Sequence, residues 1–211
     1  MTSDRAKALA LVPVPPETQA RLAVYVDLLA RWRKVANLIS DASFAEVWTR
    51  HIADSAQLLA LAPHAQRWVD MGSGAGFPGM VIAIQLADVP AARVHCLESD
   101  RRKCAFLREV ARATGAPAEI HAVRIESIDP ESLAPVDAVT ARALAPLPRL
   151  LEFAKVWIAQ GAVGVFPRGR SAEAQLETTP AAQDFAIEFV ASKLDPEAAI
   201  LRVRSASKAR P

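Results

Sequence analysis

Cysteine, net charge and long apolar runs are all scarce in this chain, and each shortage removes a class of protein. Two cysteines, Cys96 and Cys104, in 211 residues are too few for a disulfide framework. One falls in a strand-like run and the other in a helical one, so both are expected to be free and the compartment reducing, that is, cytoplasmic. No apolar run approaches a membrane span. The run Ala8–Val12 behind Arg5 and Lys7 is too short for a signal-peptide core and is stopped by Pro13, Pro15 and Pro16. A net charge of +2 does not announce a polyanion partner, so any nucleic-acid surface must come from local clustering. Four histidines and two cysteines lack zinc spacing, so no metal is expected. Apolar residues, at 52%, are plentiful enough for the core of one α/β domain with some decoration.

Glycine is sparse too, yet three of the eight glycines fall within five residues, at Gly72, Gly74 and Gly76. Such density would cripple a helix or strand, but it lets a backbone turn sharply and approach a ligand. Val69 reads as the end of a buried strand, Pro78 as a residue in the first turn of a helix, and Met80–Leu86 as that helix. Strand, glycine turn and helix open a nucleotide-type site in an α/β sheet. Gly74–Gly79 satisfies the dinucleotide pattern G-x-G-x-x-G, but two features oppose a phosphate. Pro78 removes an amide donor at the helix start, and Asp70 adds a negative charge before the turn. S-adenosylmethionine carries an ammonium, a sulfonium and no phosphate, and the turn resembles the first motif of the class I methyltransferases.

Residues 1–16 read as a flexible arm and 17–63 as a helical cap. Residues 64–204 read as a methyltransferase-like domain and 205–211 as a basic tail. Leu22, Tyr25, Leu29 and Trp32 mark an amphipathic helix from Glu17 to about Ala36. Ser43 and Glu46 suggest a capping box for a second helix running to about Leu61. A second strand, Arg93–Leu97, ends at Glu98, whose carboxylate suits the two ribose hydroxyls of an adenosine. A third strand, Glu119–Val123, leads to Ile125, placed to stack on an adenine, and Glu126, placed to polarise its edge. A fourth, Val136–Thr140, exits through Arg142, a charge at the functional rim that needs a partner. A fifth, Gly161–Phe166, is followed by Arg168 and Arg170, and two last strands close the sheet as an antiparallel pair. The expected fold is a Rossmann-like, mostly parallel sheet of about seven strands with an N-terminal helical cap. Cations gather at Arg31, Arg33 and Lys34, and again at Arg101, Arg102 and Lys103 at a helix start, where they oppose the dipole. Either set is a solvated helix end or a phosphate-contacting patch.

Several ordered motifs together resemble the glucose-inhibited division protein B family of bacterial small-subunit ribosomal RNA guanine-N7 methyltransferases. They are Trp32–Leu38, Arg50–Ser55, Val69–Gly79, Glu98–Leu107, Arg124–Glu126, Ala141–Ala143 and Arg168-Gly169, across residues 20–204. The Phe-Pro-Gly ending of the third is the most family-specific. The family usually has Lys-Gly where this chain has Arg168-Gly169, and often Thr where it has Ser40. The resemblance implies S-adenosylmethionine as cofactor, with contacts at Gly72, Phe77, Ile125, Glu126 and Arg142. These join Gly74, Gly76 and Glu98 from the turn and the second strand, and Arg142 becomes the candidate catalytic residue. The resemblance also implies action on 16S ribosomal RNA or the small subunit, at guanine 527 of the 530 loop, and the chain is expected to be a monomer. Arg31, Arg33, Lys34, Arg50, His51, Arg101, Arg168 and Arg170 would then be RNA contacts. A small-molecule or protein methyltransferase, a NAD-dependent oxidoreductase and a non-catalytic RNA-binding module are the rival readings.

Overall fold

The computed structural model describes residues 2–169 and 180–206. Helices α1 (Thr2–Leu11), α2 (Pro16–Trp32) and α3 (Asp41–Ala45) come first. A π-helical segment Trp48–Ala53, the short α4 (Asp54–Ala56) and a 3-10 turn Gln57–Leu61 follow. The sheet strands are β1 (Arg67–Met71), β2 (Arg93–Glu98), β3 (Ala118–Ala122), β4 (Ala138–Thr140), β5 (Val163–Arg168), β6 (Phe185–Ala191) and β7 (Ala199–Ser205). Between them lie α5 (Gly79–Gln85), α6 (Arg101–Thr114) and α7 (Leu147–Gln160).

The strand order is β3-β2-β1-β4-β5-β7-β6. The first five strands are mutually parallel, and β7 and β6 join them antiparallel. This is the Rossmann-like class I methyltransferase sheet, with its order reversing at β1 and β4, so the ends of those strands open a crevice. Helices on both faces explain why β4, and β1 after its first residue, are buried with no polar alternation. One apolar cluster, with Trp68, Met80 and Phe106, holds α5 and α6 against the sheet, and Leu22, Tyr25 and Leu29 of α2 belong to it. The helical cap and the sheet thus share a core. A second cluster seats α7 through Leu150, Leu151, Trp157 and Ile158 against Val69, Val139 and Phe166. Among the described residues, no helix is long and apolar enough to cross a membrane.

Several expectations need correction. The expected flexible arm, over its described residues 2–16, is packed onto the fold. Ala8 and Val12 are buried, and Asp4 accepts hydrogen bonds from the Trp48 and Thr49 amides (2.9 and 3.2 Å) and from the Thr49 hydroxyl (2.6 Å). Arg5 lies 4.8 Å over the Trp48 ring. The carboxylate thereby caps the π-helical segment from another part of the chain, satisfying donors that have no partner within a helix. The expected continuous helix from Ser43 is also broken. Ser40, not Ser43, is the cap, accepting from the Ser43 amide (3.1 Å), and Glu46 ends the short α3. The final parallel strand begins at Val163, because Gly161 takes a left-handed φ of 114° to terminate α7. Pro167 and Arg168 therefore lie within β5, where Arg168 is registered against Ala199.

Replacing Asp4 with Ala should lower unfolding stability by about 1–2 kcal/mol, the scale of losing a helix cap. Urea denaturation measures it, and an unchanged midpoint would show that α1 does not brace the π-helical segment.

Candidate active site

The glycine turn begins where β1 ends. Gly72 (φ 70°), Gly74 (φ 56°) and Gly76 (φ 96°) all take left-handed backbone that a side chain resists. Their surroundings differ. A Cβ on Gly74 would meet only the Gly72 carbonyl, at 3.8 Å, so this residue leaves the approach open. A Cβ on Gly76 would come within 2.7 Å of the Tyr25 hydroxyl and 2.9 Å of Met80. That glycine exists to let α2 pack down, and Tyr25 completes the contact by donating to the Ala75 carbonyl (2.5 Å).

Asp70 is fully buried and does not face a ligand as its sequence position suggested. It points under the start of α5, where one carboxylate oxygen accepts from the Gly79 amide at 3.1 Å. A Cβ at Gly79 would strike that carboxylate at 2.4 Å, so Gly79 is the residue that admits it. Burial pushes the Asp70 carboxyl up to about 6, against the opposing pull of Ser73, the Gly79 amide and Arg142. The helix start that would bind a phosphate in a dinucleotide site already holds a carboxylate. Pro78, at the helix cap, offers no amide there either.

Beside the turn lies a cavity of about 550 Å³. Gly72, Gly74, Glu98, Lys103, Ile125, Glu126, Arg142, Ala143 and Leu144 are among the residues that line it. Glu98 ties the wall together: its two oxygens accept from the Gly74 amide (2.8 Å) and the Asp100 amide (2.7 Å). A carboxylate oxygen has more than one lone pair, so both oxygens keep acceptor capacity for a diol. Glu126 is exposed and accepts from Arg149 at 3.3 Å. Gly76 and Phe77, expected at the cofactor, are not among the cavity walls, because both are committed to packing against the cap.

Phe77 instead forms the floor of an adjoining cluster. Its ring stacks on His51 (4.7 Å, 18°), tilts against Tyr25 (5.4 Å), and carries the Arg142 guanidinium at 5.0 Å. Arg142 is the predicted rim cation, and its partners come from the π-helical segment and α4. One terminal nitrogen donates to the Arg50 carbonyl (3.3 Å) and Asp54 (3.4 Å), and the other to His51 Nδ1 (2.6 Å). A cation can donate to His51 Nδ1 only if that nitrogen carries no proton. The proton therefore sits on Nε2, donated to the Ser43 hydroxyl at 2.5 Å. Burial, then Arg142 and Arg50, hold His51 down to about 3, so the ring is neutral at physiological pH. His51, expected as an RNA contact, is largely buried and supports Arg142, and it also lines the larger cavity beside this cluster. Burial also raises the Asp54 carboxyl, opposed mainly by Arg142.

A second cavity of about 760 Å³ adjoins this cluster. Lys7, Arg50, Asp54, Arg168 and Gly169 line it, and Arg142 and Ala143 line both cavities. Ala143 holds a left-handed φ of 52°, a conformation costing an ordinary residue about 1–2 kcal/mol, at the shared wall. Among the other expected RNA contacts, Arg31, Lys34, Arg50 and Arg101 are exposed. Arg33 is ion-paired with Asp41 and lies 4.5 Å over the Phe44 ring, so it fastens α2 to α3. Arg168 donates to the Ala145 carbonyl at 3.1 Å. Arg170 lies outside the described residues. Asp100 caps α6 through the Arg102 and Lys103 amides (2.7 and 3.2 Å), which offsets the unfavourable cations there. Sequence reasoning missed Ser43 and Asp54 as partners of the site. The placement of Asp54 three residues after His51, on adjacent turns, was the available signal.

The His51 arrangement has a pH signature. The folded ring binds a proton only near pH 3, whereas an unfolded one does so near its ordinary 6.5. Stability from this group is complete above pH 6.5 and drains as acid is added toward pH 3. His51→Gln should flatten the fall of the melting temperature between pH 7 and pH 5, and an unchanged slope would contradict the buried neutral ring.

The family model described as rRNA small subunit methyltransferase G, GidB, matches residues 18–197. A Methylobacterium protein (strain 4-46) named ribosomal RNA small subunit methyltransferase G is 46% identical over 210 residues, 99% of each chain. One of the same name from Nitrobacter hamburgensis is 52% identical over 174 residues, 82% of this chain and 67% of its own. Among solved structures, a mutant of MtNAS in complex with S-adenosylmethionine shares the fold with TM-score 0.54 at 15% identity, covering 89% of this chain and 75% of that one. Precorrin-6y C5,15-methyltransferase from Geobacter metallireducens does so with TM-score 0.54 at 13% identity, covering 80% and 90%. With the matched region spanning the glycine turn, the smaller cavity and Arg142, the chain belongs to the GidB family of small-subunit ribosomal RNA methyltransferases.

Proposed function

We propose that this chain transfers a methyl group from S-adenosylmethionine to N7 of a guanine in 16S ribosomal RNA. The observation that carries the reading is that Arg142 and Ala143 form a common wall between two cavities. One cavity suits the cofactor and the other a base presented from RNA.

The residues present fit the cofactor. Glu98 has two oxygens for the ribose hydroxyls, and Gly74 leaves its side of the cavity clear. Ile125 offers an apolar surface to an adenine, with Glu126 beside it. The buried Asp70 under α5 leaves no seat for a pyrophosphate, which argues against a NAD-dependent reading. When bound, S-adenosylmethionine supplies an electrophilic methyl on a positively charged sulfur.

Guanine N7 keeps a lone pair at neutral pH and lies on the groove edge. Held beside Gly72, Gly74, Glu98 and Ile125, the cofactor would supply its methyl to that lone pair, leaving a neutral sulfur and the positive charge on the base. No proton leaves, so no general base is required, and catalysis rests on in-line positioning and exclusion of water. Arg142 is suited to that positioning. Its engaged donors fix the guanidinium to His51, Asp54 and the Arg50 carbonyl. The remaining donors, on Nε and the His51-bound nitrogen, would serve the guanine O6, leaving the N7 lone pair free to attack the methyl. Arg50 and Arg168 on the larger cavity, with exposed Arg31, Lys34 and Arg101, would meet phosphates. A target base must be unstacked to enter.

Labelled methyl transfer to isolated small subunits and to naked RNA, followed by mapping of the modified base, tests the proposal. Label should enter RNA at a guanine N7 and fall with added salt. Arg142→Ala should slow transfer by roughly 10²-fold, the scale of losing an oriented donor. Glu98→Ala should weaken cofactor binding roughly 10- to 100-fold. Normal transfer and normal cofactor affinity in Arg142→Ala would remove that residue from the site. A calorimetric response to NAD with none to S-adenosylmethionine would overturn the proposal.

A further inference from the structure

Away from both cavities, the parallel pairing of β2 with β3 builds a second cluster of chemistry-bearing side chains. His95 is registered against Glu119, and His121 lies two residues further along β3. Side chains alternate across a strand, so Glu119 and His121 share a face, and the pairing brings His95 onto it. His95 Nδ1 is 3.0 Å from His121 Nε2 and 3.3 Å from Glu119 Oε2. All three atoms lie within 4.8 Å of one another, and this is the one such grouping among the described residues. No zinc spacing was legible in the sequence, because the third ligand comes from a neighbouring strand.

We propose that His95, Glu119 and His121 form a binding site for a borderline divalent cation of the zinc type. The geometry supports this directly. A tetrahedral ion with bonds of about 2.0–2.1 Å holds its ligand atoms about 3.3 Å apart. His95 already stands within a few tenths of an ångström of that separation from each of its two neighbours. Two imidazoles and one carboxylate are the donor set that such an ion prefers. Each ring presents a lone pair inward when its proton sits on the outer nitrogen, Nε2 of His95 and Nδ1 of His121.

The surroundings are arranged to suit. Arg93 binds the other Glu119 oxygen, Oε1, at 3.2 Å, which turns Oε2 toward the histidines. A partner that orients a ligating carboxylate in this way is a usual feature of metal sites. His95 is buried, His121 half-buried and Glu119 exposed, so the site has a closed floor and an open mouth. β3 is the edge strand, which leaves that mouth reachable from solvent. An ion here would staple the edge strand to β2 just before the two strands lead into Glu98 and Ile125 at the first cavity. Its role is structural: it stiffens one wall of that cavity and takes no part in the methyl transfer.

Titrating the chelator-treated full chain with Zn²⁺ by calorimetry, and with Co²⁺ by visible absorption, tests the site. One ion should bind per chain, and the Co²⁺ bands should carry the intensity of a four-coordinate centre. His121→Ala and Glu119→Gln, at positions that are not buried, should each weaken binding tenfold or more while circular dichroism stays unchanged. Cys104→Ser should bind as the parent does. No binding by the parent chain would overturn the proposal. So would affinity retained in both variants, or affinity lost only in the cysteine variant.

Discussion

A guanidinium withdrawn from water needs acceptors that do not themselves carry positive charge. Arg142 meets this condition with a carboxylate, a backbone carbonyl and an imidazole held neutral by its own burial. Much of the remaining architecture follows from keeping that imidazole in place. The His51 ring is clamped by Phe77 on one face and by Ser43 at its far nitrogen. Phe77 belongs to the glycine turn, and Ser43 to α3. One side-chain cluster therefore joins the turn after β1, the exit of β4 and the N-terminal helices.

The π-helical segment is the device that makes this junction. An extra residue in a helical turn shifts the side chains around the axis, and such segments recur at functional sites. Here the shift delivers the Arg50 carbonyl, His51 and, just beyond, Asp54 to a single guanidinium. The conformation has unsatisfied donors at its start, and Asp4 from α1 accepts from them. Helix α1 precedes the region matched by the family model, yet it contributes both this cap and Lys7 on the wall of the larger cavity.

The glycine turn has a divided task. Gly72 and Gly74 face the smaller cavity, whereas Gly76 gives room to Tyr25 and Gly79 gives room to Asp70. The buried Asp70 is the physical reason that a pattern literally matching a dinucleotide fingerprint does not form a phosphate seat. Its carboxylate occupies the end of the α5 dipole that a phosphate would otherwise use.

The alternation of apolar runs with glycine and proline punctuation was enough to determine the seven-stranded, mostly parallel sheet and the place of the crevice. Both are set by local periodicity and by the right-handed crossover rule. The acid at the end of β2 and the arginine at the exit of β4 were legible for the same reason, since a charge that ends a buried strand stands at the rim. Tertiary contact decided what periodicity cannot encode. It converted an expected arm into α1, broke one continuous helix into four short segments, turned Asp70 inward and His51 into a neutral acceptor, and joined His95 to Glu119 and His121. The packing of α1, the neutral His51 and the His95 cluster depend on partners dozens of residues away or on a neighbouring strand, and a chain's local pattern carries no record of which distant group will satisfy a buried polar atom.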